Sequence, residues 1–125
     1  IRTLQGAQQL IGKFGVGALL IEIASNRWSW YNVSIDEGIS VLEQVTAIGH
    51  YSTYIIARND GSCPASQMAS LKGVTPATNL SMINFQTGKP AIVQNVFHFI
   101  EWKTIMIELK KNDWSCNFWL ETFER

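Results

Sequence analysis

The sequence has no charge excess, few cysteines, little proline and no long apolar run. Ten Lys and Arg balance ten Asp and Glu, for a formal net charge of +0. A phosphate-neutralising nucleic-acid binder needs clustered Lys and Arg, so that class is disfavoured. Electrostatic adsorption to anionic membranes is disfavoured on the same ground. Two cysteines are too few for a disulfide-scaffolded miniprotein. The most apolar stretch, Phe14 to Ala24, is interrupted by Glu22 and is shorter than the roughly 20 residues of a membrane span. Its flanks do not form a signal-peptide cleavage pattern. The first residue is Ile1 rather than Met, as in a fragment or a processed product.

What is present is a chain of 125 residues, 46% hydrophobic and 16% charged. That length suits one domain, and that apolar fraction can form a packed core. The five Trp, three Tyr and six Phe are many for this length. No repeat, low-complexity linker, P-loop, dinucleotide fingerprint, HExxH or paired CxxC occurs. Two scattered His and two Cys do not suggest a four-ligand zinc site, and no cofactor or metal is expected. Two N-x-S sequons lie at Asn32 and Asn79.

The pattern predicts an α+β domain. Residues 1–17 carry four glycines, each weakening a helix interior by about 1 kcal/mol relative to Ala. Residues 17–24 fit either a buried strand or a helix. Arg27 to Val33 is aromatic and strand-favouring, which puts Trp28 and Trp30 on one strand face as core packing or as the lining of a sugar or peptide groove. Ser34-Ile35-Asp36-Glu37 reads as a capping box opening a helix over 35–47, with Gly49 at its stop. His50–Arg58, Leu80–Gln86 and Ala91–Phe97 are predicted strands of a small antiparallel sheet, with a turn at 59–62. Trp102, Ile105, Met106 and Leu109 place a helix over 100–110. Cys116, Trp119, Leu120 and Phe123 repeat that spacing, which predicts a third helix over 115–124.

One constellation suggests chemistry. Cys116 falls in the first turn of that last predicted helix, where the dipole favours a thiolate. A nucleophilic cysteine needs a base, and His50, at a strand start, suits that role better than His98 in its apolar stretch. Asn84, polar within an apolar strand, would accept from the imidazole and fix its tautomer, with Asn59 and Asp60 in reserve. The bland alternative is that Cys116 is a small buried hydrophobe and His50 a structural residue. Cys63 is a second nucleophile candidate or the disulfide partner of Cys116.

The segment Gly49-His50-Tyr51-Ser52-Thr53-Tyr54-Ile55 resembles the histidine strand of papain-like cysteine peptidases. Trp114-Ser115-Cys116-Asn117-Phe118-Trp119 is similar to the cysteine helix start of the circularly permuted branch, the NlpC/P60-like and LRAT-like proteins, where His precedes Cys. The resemblance implies a permuted papain-like fold. It also implies a cysteine hydrolase or acyl/peptidyl transferase acting on a peptide, amide or ester through Cys116, His50 and Asn84. The rival expectation is a non-enzymatic protein-binding module such as an immunity protein, effector or viral accessory domain, for which many aromatics suit an interface. A nuclease using His50 or His98 is disfavoured by the zero net charge. The enzyme reading requires Cys116 Sγ within about 4 Å of the His50 ring.

The capping box supplies a direct test. Ser34→Ala should cost about 1 kcal/mol of stability by removing the helix cap. An unchanged denaturation midpoint would place the helix start elsewhere.

Overall fold

The computed structural model describes residues 1–58, 60–77, 81–83, 87–92 and 95–122, with the backbone alone for 81–83 and 90–92. In chain order the elements are α1 (Arg2–Phe14), β1 (Ala18–Ile23), a 3₁₀ helix (Ser25–Tyr31), α2 (Ile35–Gly49) and β2 (Tyr51–Ile56). There follow α3 (Ala65–Met68), β3 (Val74–Pro76), β4 (Ser81–Ile83), β5 (Pro90–Ile92), β6 (Val96–Phe99), α4 (Trp102–Asn112) and β7 (Cys116–Thr122). The main sheet has the order β1-β7-β2-β6-β3, and every pairing is antiparallel. β4 and β5 form a separate two-stranded sheet. The fold class is therefore α+β, as the pattern predicts.

The sheet alternates strictly. Cys116, Phe118 and Leu120 of β7 and Tyr51, Thr53 and Ile55 of β2 are buried, and the residues between them are half-exposed. The buried set joins Ile39, Leu42 and Val45 of α2 and Trp102, Ile105, Met106 and Leu109 of α4 in one core. The helices thus cover one face of the sheet. The other face carries Leu20, Trp119, Tyr54, His98 and Thr75, which the register places in one row across five strands.

Four polar side chains in and around this core are paired. Trp102 Nε1 donates to Thr46 Oγ1 at 2.7 Å, and that hydroxyl donates to the Leu42 carbonyl at 2.7 Å. Ser25 Oγ donates to the Met106 carbonyl at 2.8 Å, and Thr53 Oγ1 to the Phe99 carbonyl at 2.7 Å. Each bond removes the cost of an unsatisfied buried group, and those of Trp102, Ser25 and Thr53 tie one element to another. Close packing also selects glycine. A Cβ on Gly38 would lie 2.1 Å from the Trp28 ring, and one on Gly49 would lie 2.1 Å from the Tyr51 ring.

Ser34 caps α2 as predicted, its Oγ accepting from the Glu37 N–H at 3.0 Å. The helix runs to Gly49 rather than 47, and His50 itself takes the left-handed cap at φ 53°. α4 begins at Trp102 rather than 100 and ends at Asn112 rather than 110, capped by Asp113, also left-handed at φ 59°.

Four expectations need correction. The predicted last helix, 115–124, is strand β7 over its described part. Spacing of three and four joins Cys116 to Trp119 and Leu120, but alternation joins Cys116, Phe118 and Leu120 equally well. Two flanking strands decide for the alternation. The strand-favouring Arg27–Val33 run is instead largely the 3₁₀ helix, at about three residues per turn. That geometry sends Trp28 inward and leaves Trp30 72% exposed. The glycine-rich start forms α1, because its apolar side packs on α2. Finally, the 80–86 and 91–97 strands do not extend the sheet as expected. Among the described residues Ser81–Ile83 pairs with Pro90–Ile92 in a separate sheet, whereas Val96 and Phe97 do join the main sheet, as the start of β6 after a left-handed turn at Asn95.

Tyr51 tests the link between α1 and the sheet. Its hydroxyl donates to the Val16 carbonyl at 2.6 Å, and burial raises its pKa above the usual 10.0. The folded chain therefore holds this proton where the unfolded chain loses it. That contribution is complete below pH 10 and fades as pH rises through the elevated folded pKa. Tyr51→Phe should cost about 1 kcal/mol at neutral pH and remove this share of the alkaline loss, measured by chemical denaturation from pH 7 to 11.

Candidate functional site

The proposed Cys–His pair is not assembled. Cys116 is bonded to Cys63 in a disulfide, and both side chains are fully buried on the helix side of the sheet. Cys116 opens β7 opposite Ile23, whereas Tyr51, next to His50, pairs with Thr122 at the other end. At about 3.3 Å per residue the two sites are about 20 Å apart. His50 is exposed and serves as the α2 cap. Asn84 lies outside the described residues, as do Asn59 and Asn79. Cys116 is thus in its non-nucleophilic alternative, the Cys63 partner.

The loop bearing Cys63 is held independently of the disulfide. The Arg58 N–H donates to the Cys63 carbonyl at 2.7 Å, and the Ser115 N–H donates to the Ser62 carbonyl at 2.9 Å. Asp60 accepts from the Ser62 N–H at 2.9 Å and from its hydroxyl at 2.6 Å. Those two bonds hold its exposed carboxyl below the usual value of 3.8. Asp60 therefore organises the turn beside β7 and stands far from His50. His98 lies on the helix-free face, its ring centroid 5.4 Å from that of Tyr54.

The structure instead brings together an edge and a groove. β1 ends the sheet on one side. Thr122 donates to the Gly17 carbonyl, so the backbone groups of Gly17, Leu19, Ile21 and Ile23 aim at β7. Those of Ala18, Leu20 and Glu22 aim outward, and among the described residues no strand meets them. β1 carries none of the Lys, Pro or bulge devices that blunt an edge. Its one charge, Glu22, lies 3.8 Å from Arg58 in an exposed pair worth little energetically. Leu20 is 45% exposed.

Beside the second half of β1 lies a groove of ≈ 390 Å³, lined by Leu4, Ile21, Ile23, Trp28, Tyr31 and Arg27 among others. Tyr31 and Trp30 on the 3₁₀ helix are both exposed, and Arg27 lies 6.0 Å from the Trp30 ring centroid. Asn32, of the first sequon, is exposed in a left-handed turn just beyond. The edge escaped sequence reasoning because a free edge is a property of sheet order. The available signal was the apolar Ala18–Ile23 run, which fitted a strand and a helix equally.

No family model, curated protein or solved structure matches this chain. No helix among the described residues is long and apolar enough to cross a membrane. Among the described residues no group of three His, Cys, Asp or Glu side chains could hold a metal ion.

The disulfide closes a sequence separation of 53 residues. Replacing both cysteines by Ala should lower stability by about 2–4 kcal/mol, read from denaturant midpoints, because the unfolded chain regains the freedom of that loop. An unchanged midpoint would mean that the surrounding hydrogen bonds hold the loop unaided.

Proposed function

We propose that this chain is a non-enzymatic protein-binding module, with its interface at the β1 edge, the adjoining groove and the aromatic residues of the 3₁₀ helix. The observation that carries this reading is the β1 edge, whose backbone donors and acceptors face outward beside an apolar groove. Edges of this kind are completed by another backbone, and the groove beside them receives alternate side chains. Trp30, Tyr31 and Arg27 are residue types enriched at protein interfaces and at their energetic centres. Zero net charge fits a protein partner better than a polyanion.

A permuted papain-like hydrolase or transferase would need a thiolate at Cys116 beside His50. The buried disulfide and the length of β7 between them favour the binding reading.

Alkylation separates the two. Without reductant, iodoacetamide should modify neither cysteine of the native protein at any pH from 5 to 9, and His50→Ala should change nothing. Both cysteines should become reactive only after reduction. Labelling of Cys116 in the unreduced protein, faster at low pH than an ordinary thiol and slowed by His50→Ala, would overturn the binding reading.

A further inference from the structure

The partner that β1 fits best is a strand of its own sequence. We propose that two copies of this chain pair edge to edge through β1, antiparallel about a twofold axis at Leu20, to form one continuous ten-stranded sheet. This assignment rests on the protein-binding reading and names its partner.

The register is self-complementary. With Leu20 facing Leu20 of the second copy, Ala18 faces Glu22 and Glu22 faces Ala18. These are the three residues whose N–H and C=O groups aim away from β7. Each pair exchanges both of its hydrogen bonds, so every outward backbone group of β1 is satisfied. An isologous contact of this kind closes at two copies and leaves no further β1 edge to propagate.

Side chains agree with the backbone. On the helix side the same register sets half-buried Leu19 against Ile21 of the second copy, and Ile21 against Leu19. On the helix-free face the two Leu20 side chains meet, each flanked in its own sheet by Trp119. Glu22, the only charge on β1, faces Ala18, so no like charges oppose each other. Along the same register Ala24 faces Val16 of the second copy. The end of that copy's α1, with Phe14 70% exposed, then approaches the groove lined by Leu4, Trp28 and Tyr31. An exposed apolar knob and an apolar groove are thereby matched twice, once on each side of the axis.

Light scattering after size-exclusion chromatography, over a series of protein concentrations, tests this with the full chain and two variants. The wild-type protein should have twice the 14.1 kDa monomer mass. Leu20→Lys puts two ammonium groups together on the axis and should raise the dissociation constant about a hundredfold. Leu20→Pro removes the central outward donor and spares the ladder to β7, because the Leu20 N–H faces away from that strand. It should dissociate the pair likewise. If the proline variant does not fold, the lysine variant decides alone. A wild-type protein of 14.1 kDa at every concentration would overturn the proposal, as would a dimer that survives Leu20→Lys. Either result leaves the protein-binding reading standing, since that reading falls to a reactive Cys116.

Discussion

The fold depends on the insertion of the last described strand, β7, between β1 and β2. Without it β1 has no strand neighbour among the described residues, because it pairs there with residues 116–121 alone. β2 would keep β6 alone. Three of the largest fully buried side chains, Phe118, Leu120 and Cys116, belong to this strand. Phe118 meets Phe99 edge-on at 5.8 Å and Trp102 at 5.3 Å, so the same strand ties the sheet to α4. Completing the sheet therefore requires chain segments about a hundred residues apart to pair, which makes folding slow relative to a locally paired sheet of this size.

The disulfide acts at the end of that strand. It joins the first residue of β7 to the loop after β2, where Ser115 and Ser62 already share a backbone hydrogen bond. Its effect is to hold the start of β7 in register with β2. A cysteine used in this way is lost to nucleophilic chemistry. His50 is separately committed, since its backbone forms the left-handed cap of α2 and its side chain points to solvent. The two residues that suggest catalysis thus serve two different structural turns at opposite ends of β7.

The position of β7 between β1 and β2 also decides which strand lies at the edge of the sheet. It places β1 at the edge and leaves Ala18, the exposed Leu20 and Glu22 with outward-facing backbone groups. The short β3, three residues ending at Pro76, gives the opposite edge far less to offer a partner. The two edges of the sheet are therefore unequal. The longer edge, β1, is the one beside the groove and the exposed aromatics of the 3₁₀ helix.

Local signals set several elements by themselves. Ser34 and Glu37 define the start of α2, the i, i+3, i+4, i+7 series from Trp102 to Leu109 defines α4, and the β-branched and aromatic run at 51–56 defines β2. The α+β class follows from these, because each rests on capping or periodicity within one segment. Tertiary structure alone decided the rest. Cys116–Thr122 satisfies both periods, and only partners on both sides make it a strand. α1 overcomes its glycines only by packing on α2, where a Cβ at Gly12 would come within 3.2 Å of Ile48. The pairing of Cys63 with Cys116 and the freedom of the β1 edge are consequences of strand order. Strand order is fixed by contacts between distant segments, and no single segment of the sequence encodes it.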